Sequence, residues 1–378
     1  MQKPVDLEAS LLVVGMIWRM TSPTSAAATR NALIGSFRMD GGSLHLSRAL
    51  VGGVLATVLA ALTIGLWDPT YALPLVVGSA YTGILNLEGD PGSRLRGMAW
   101  AAAWLALATL VGGLVSPYVV LELGVVAAVG LVGGYAGVLG KRGAAIGVVA
   151  MSMYCVFAGL GLTPDHAVKF AALMGLGGLI QIALWAIVIL VHDRQALAQR
   201  TPVESWVRRL RSGGTGDSHF LRHAIRLSIA LLLGSMIANH MSWPHPYWIP
   251  MTIAIMSKPD SHGTATRILE RILGTLLGVG LAVFFVSLAG EGEAIIPIYA
   301  GVGVFVLLAF QSAKYAITVA GMTFTVMTMM TLLGDPILET SGLRVLMTVI
   351  AGVITAIAAV VLWVMSRRRS GRSAPDGR

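Results

Sequence analysis

The strongest constraint on this chain is the recurrence of apolar runs near twenty residues long. About 20 apolar residues cross the hydrocarbon core of a bilayer as a helix. Twelve such candidate runs are present, near 46–66, 71–88, 97–116, 118–139, 143–162 and 167–191, then 222–241, 244–258, 271–289, 294–311, 315–333 and 343–366. Only 12% of the 378 residues are charged, against roughly 25% in soluble domains. The runs do not alternate polar and apolar, as barrel strands do. The fold class expected is therefore an all-α polytopic membrane protein.

Charge placement orders these runs. The net charge of +9 would suggest nucleic acid in a soluble protein. Here it fits cationic loops held on the cytoplasmic side, and no nucleic-acid partner is expected. With the N-terminus inside, of the 27 Lys and Arg only Lys169 and Arg344 fall on the outer side. Both termini are therefore expected in the cytoplasm. The divisions expected are an N-terminal cytoplasmic extension over 1–44, a first six-helix unit over 45–191, a linker over 192–221, a second unit over 222–366 and a basic tail over 367–378.

The two units look like copies. Tyr71-x-x-Pro74 pairs with Tyr247-x-x-Pro250, and Arg94-x-x-Gly97 with Arg271-x-x-Gly274. The Lys141 region pairs with Lys314, and Trp185 with Trp363. An even number of spans per unit makes the repeats parallel, related by a pseudo-twofold axis along the membrane normal.

No enzyme is expected, because no HExxH, GxSxG, Walker or dinucleotide signature is present. One cysteine, Cys155, permits neither an internal disulfide nor a cysteine-based zinc site. No metal or cofactor is expected. The partners are the lipid bilayer and a small solute.

The candidate pathway residues come from three places. Short, proline-interrupted spans at matching positions mark transporter sites, which selects Pro74, Pro250, Tyr247 and Trp248. The plainer reading is a proline in a first helical turn. Lys258, Arg267, Arg271 and Arg94 are basic residues at the inner mouth, with Arg267 and Arg271 four apart on one helix face. Lys169 and Arg344 break the charge rule near the start of the sixth span of each unit. They are expected near the exit, unless they pair with Asp165 and Glu339 or reach outer headgroups. Glu122 is the clearest intramembrane carboxylate, and Gln181 a polar helix–helix contact.

The stretch Tyr247–Gly278 resembles the fusaric acid resistance, or aromatic acid exporter, superfamily. The elements are Tyr247-Trp248, Pro250, Thr252, Pro259, Thr264, Arg267, Arg271, Gly274-Thr275 and Gly278. The resemblance implies a bacterial inner-membrane protein that exports small organic anions such as aromatic carboxylic acids. Plant aluminium-activated malate transporters look like distant relatives, which implies a basic anion pathway and a dimer-like arrangement. A homo-oligomer and accessory export proteins are the candidate protein partners. Many exporters of this family carry a large cytoplasmic domain between the halves, where this chain has only the short linker. The alternatives are a passive anion channel and a non-transporting scaffold of envelope machinery.

Overall fold

The computed structural model describes residues 44–85, 89–192, 219–258, 261–290 and 292–370. The expected extension over 1–43, most of the linker and the last residues of the tail lie outside them.

Among the described residues the regular structure is entirely helical. Twelve α-helices occur in the order α1 Leu46–Leu66, α2 Ala72–Ile84, α3 Pro91–Val115, α4 Val119–Tyr135, α5 Lys141–Ala158, α6 Pro164–His192, α7 His219–His240, α8 Trp248–Met256, α9 Ser261–Ala289, α10 Ile296–Phe310, α11 Tyr315–Met330 and α12 Ile337–Ser370. Nine of them are long and apolar enough to cross a membrane: all but α2, α8 and α10.

Local chemistry sets the boundaries. α3 opens with Pro91 in its first turn, where the missing N–H costs nothing. The Asp90 carboxylate accepts the Ser93 N–H at 2.7 Å and so satisfies one of the free amides of that turn. Asp68 does the same for Thr70 N–H at 2.9 Å in the 3-10 turn before α2. α11 closes through a second 3-10 turn, Thr331–Leu333, onto Gly334 at φ 84°, a left-handed conformation that glycine adopts without a Cβ clash.

The helices are inside-out by the standards of a water-soluble protein. On α1, Leu46, Leu50, Val54, Val58 and Leu62 form an exposed stripe, whereas Ala49, Gly52, Gly53, Ala56 and Ala60 face inward. On α12, Leu346, Val349, Val353 and Ile357 are exposed, and Ala351, Thr348 and Thr355 are buried. Large apolar side chains outside and small or polar ones inside are what lipid selects. Lipid gives no hydrophobic drive between helices, so packing and interhelical polar contacts must hold them.

Small residues bring the axes together. A Cβ on Gly78 of α2 would overlap the Met174 carbonyl of α6, and one on Gly177 of α6 would overlap the Leu75 carbonyl of α2. Gly274 and Gly278 of α9 meet the Ala316 and Ala320 backbone of α11 in the same way. Gly78→Leu should therefore lower thermal stability in detergent, by at least the 1–3 kcal/mol typical of overpacking. A leucine at lipid-facing Gly124, which has open space at its Cβ position, should leave the melting temperature unchanged.

Helix contacts follow a doubled pattern. α1 packs on α10 and α4 on α7. α2 and α3 pack on α6, as α8 and α9 pack on α12. α3 and α4 pack on α5, as α9 and α10 pack on α11. Polar side chains cross several of these seams. Ser79 of α2 donates to Gln181 of α6 at 3.0 Å. Asn239 of α7 donates to Glu122 of α4 at 2.8 Å.

Candidate functional site

The site is built around α8, the shortest of the twelve. Nine residues rise about 14 Å, less than half of a bilayer core. Every α8 residue except Ile255 is buried. The approach is constrained by Pro244, His245 and Pro246. His245 takes φ 54°, the one non-glycine residue with positive φ among the described residues, at a cost of order 1–3 kcal/mol. Pro250 falls in the first turn of α8 and Pro74 in the first turn of α2, both buried. Neither helix is interrupted there, so these prolines start short helices.

The far end of α8 is held by side chains. The Lys258 carbonyl accepts from the Arg226 guanidinium of α7 and from Thr264 Oγ1 at 3.1 Å, while Lys258 N–H donates back to Thr264 Oγ1 at 3.2 Å. A cation at this end also complements the negative pole of the helix dipole. Lys258 thus enters through its backbone.

Two guanidiniums converge beside α8. Arg271 on α9 is 1% exposed and Arg344 on α12 is 2% exposed. Each acts electrostatically on the neighbourhood that contains the other, together with Tyr81 of α2 and Tyr315 of α11; Tyr247 also faces Arg344. The Arg344 guanidinium lies 4.9 Å from the ring centre of Trp248. Arg271 Nε and one terminal nitrogen, and Arg344 Nε and one terminal nitrogen, make no hydrogen bond within the protein. The Tyr315 hydroxyl is also unpartnered, and Tyr81 donates to the Met322 sulfur at 3.0 Å.

This arrangement is costly. Burying an ion costs several kcal/mol even after relaxation, unless a counter-charge and hydrogen bonds compensate it. Here two like charges share a buried, aromatic-walled region with donor N–H groups left over. Free guanidinium N–H groups of this kind are donors suited to an anionic acceptor.

Polar contacts close the region at both ends of α11. At the N-terminal end, Glu270 of α9 meets Lys314 at 3.1 Å, with both side chains under one-tenth exposed. Arg267 lies 3.1 Å from the Tyr315 ring centre. At the C-terminal end, His245 Nε2 stands 3.2 Å from Asp335 Oδ2, too poorly aligned for a hydrogen bond. His245 also stacks on Trp248 at 4.8 Å and shares a 3.0 Å hydrogen bond with the Tyr247 hydroxyl.

The sequence-expected residues divide accordingly. Arg267, Arg271, Arg344, Tyr247 and Trp248 come together, with Pro250 and the Lys258 backbone holding α8. Arg271 acts electrostatically on Arg344, and the helices that carry them, α9 and α12, pack together. Arg94 lies elsewhere, half-buried over the Trp185 ring at 5.7 Å. Lys169 is on the rim, half-exposed and 2.6 Å from Asp165 one turn earlier. Such exposed pairs contribute little, so Lys169→Ala should leave both flux and melting temperature within experimental scatter. Tyr81, Tyr315, Glu270 and Asp335 were not sequence candidates. Their signal was spatial, since α2, α9, α11 and the α11–α12 turn meet only after folding.

Residues 231–358, which contain the whole α8–α9 element and most of the site, match the family described as fusaric acid resistance protein-like. Among curated proteins, the inner membrane protein YccS of Escherichia coli (strain K12) is 31% identical over 177 residues, 46% of this chain and 24% of that protein. The uncharacterized protein ORF2 of Neisseria gonorrhoeae is 28% identical over 149 residues, 39% of this chain and 35% of the relative. The uncharacterized transporter YdhK of Escherichia coli (strain K12) is 36% identical over 70 residues, 18% of this chain and 10% of that protein. The matched segments thus span between a tenth and about a third of these relatives' lengths. No solved structure matches the chain significantly. Through residues 231–358, the chain is similar to the fusaric acid resistance protein-like family and to an inner membrane protein of Escherichia coli.

Proposed function

We propose that this protein is an inner-membrane transporter that exports small organic anions, aromatic carboxylates among them, through a twelve-helix body of two parallel repeats. The observation that carries the reading is the pair of buried guanidiniums, Arg271 and Arg344, with N–H groups that have no protein acceptor. A scaffold has no use for such a pair. A carrier does, because binding the anion supplies the missing counter-charge.

The doubled helix contacts support the two-repeat reading. So does the grouping of cations: Arg48 of α1 and Arg142 of α5 both act on Arg94 of α3. Arg226, Arg271 and Lys314 occupy corresponding positions of the second unit. The cytoplasmic placement of both termini rests on the one-sided distribution of Lys and Arg. The descriptions of YccS as an inner membrane protein and of YdhK as an uncharacterized transporter agree with membrane and class. Burial of both guanidiniums favours a carrier over a continuously open channel.

The test is uptake of labelled organic acids by vesicles containing the purified protein, under imposed pH gradients or voltage. Saturable, protein-dependent flux is expected. Equal uptake by protein-free vesicles across the panel would overturn the reading.

A further inference from the structure

We infer that the Glu270–Lys314 pair and the His245–Asp335 contact are two gates that close the Arg271–Arg344 site toward opposite faces of the membrane. This rests on the reading of that site as the anion site.

The two contacts lie at the two ends of α11. Its 16 residues rise about 24 Å, which places its two ends near opposite sides of a bilayer core. Lys314 is its N-cap, and Asp335 follows the turn that ends it. Tyr315 and Met322, which touch the site through Arg267 and Tyr81, lie between them. The two contacts therefore cap one column of side chains from above and below.

Each contact joins elements that must separate for a solute to pass. Glu270 and Lys314 link α9 to α11, and Glu270 directly precedes Arg271. Opening this pair frees the guanidinium beside it. His245 and Asp335 link the α7–α8 approach to the α11–α12 turn, and His245 packs on Trp248, which carries Arg344. Opening this contact uncovers the other guanidinium.

The two gates differ in strength, as their surroundings show. The Glu270–Lys314 side chains are 8% and 3% exposed, so separating them breaks a charge pair held away from water. The His245 and Asp335 side chains are 15% and 25% exposed and misaligned, and His245 holds a positive φ, an uncommon backbone conformation for a non-glycine residue. The Asp335 side therefore opens more readily.

Cysteine accessibility tests this. Thr252 lies one turn beyond Trp248 on the same face of α8, with a buried hydroxyl that has no protein partner. In a Cys155→Ser background, Thr252→Cys serves as the reporter. The probe is sulfonatoethyl methanethiosulfonate, an anionic, membrane-impermeant reagent, applied to right-side-out and inside-out vesicles. With both gates intact, labelling is expected to be slow from either face. Glu270→Gln should speed it at least tenfold from one face, and Asp335→Asn at least tenfold from the other. If Glu270→Gln fails to accumulate, Arg267→Gln, which removes the stack on Tyr315, replaces it. Acceleration of both from the same face, or of neither, overturns the gates. Face-sorted acceleration with no protection by any organic acid would keep the gates and overturn the anion site. Protection without sorting by face would do the reverse.

Discussion

Replacing Arg344 with alanine is expected to reduce saturable organic-anion flux by roughly 10–100-fold while leaving membrane insertion and folding intact. A charge-assisted hydrogen bond contributes about 1.5–3 kcal/mol, and about 1.4 kcal/mol is a factor of ten in binding. Arg344 is 2% exposed, lies over Trp248 and leaves two nitrogens without protein acceptors. Its removal relieves a desolvated positive charge, so the variant should be no less stable than the parent. Arg271→Ala should behave alike in flux. Arg344→Lys should recover only part of the activity, because an ammonium cannot offer two parallel donors to a carboxylate. Unchanged transport by a well-folded Arg344→Ala protein would count against the site. So would a loss of stability equal to the loss of flux.

The second large effect is on stability. Removing one partner of a buried ion pair costs about 3–5 kcal/mol. Glu270 and Lys314 are such a pair, 3.1 Å apart with both side chains nearly enclosed. Glu270→Leu is expected to lower the detergent melting temperature by many degrees, and Lys314→Met similarly. The double variant should recover most of the loss, since two apolar groups of similar volume are often tolerated where one stranded ion is not. Additive losses in the double variant would mean that the two side chains act independently. Arg271 adjoins Glu270 in sequence, so Glu270→Leu also leaves that guanidinium in a more positive surrounding. This makes Glu270→Leu the worse of the two single changes.

The helical architecture was largely legible from the chain. Apolar runs near twenty residues specify helices under the bilayer constraint, and among the described residues nine helices on such runs are long and apolar enough to cross. Length set the difference in detail. α2, α8 and α10 have 13, 9 and 15 residues, and α8 begins late, after the Pro244–Pro246 approach. The sequence marked α8 correctly as too short to span and tied it to Arg267 and Arg271.

The site was legible in its residue types but not in its assembly. Arg271 and Arg344 are 73 positions apart, and the charge rule put them on opposite sides of the membrane. That rule assigns a loop to a side, but it says nothing of how far a six-atom side chain reaches inward along a helix seam. Lys169 and Arg344 shared a sequence anomaly and have different surroundings. An aspartate one turn earlier holds Lys169 at the rim, whereas Arg344 has Trp248 to lie against. Tyr81 carried no motif, and its place beside the guanidiniums follows from α2 crossing to Met322 of α11.

The most direct test of the account is anion-dependent stabilisation of the purified protein. A ligand at about 100 times its Kd stabilises the folded state by about 2.7 kcal/mol, well within reach of a melting experiment. Benzoate and a panel of small mono- and dicarboxylates, titrated at constant ionic strength, should raise the melting temperature of the parent protein in a saturable way. They should fail to do so in the Arg271→Gln, Arg344→Gln double variant. Equal stabilisation of parent and double variant, or of neither, would contradict the claim that the buried guanidinium pair is an anion-binding site.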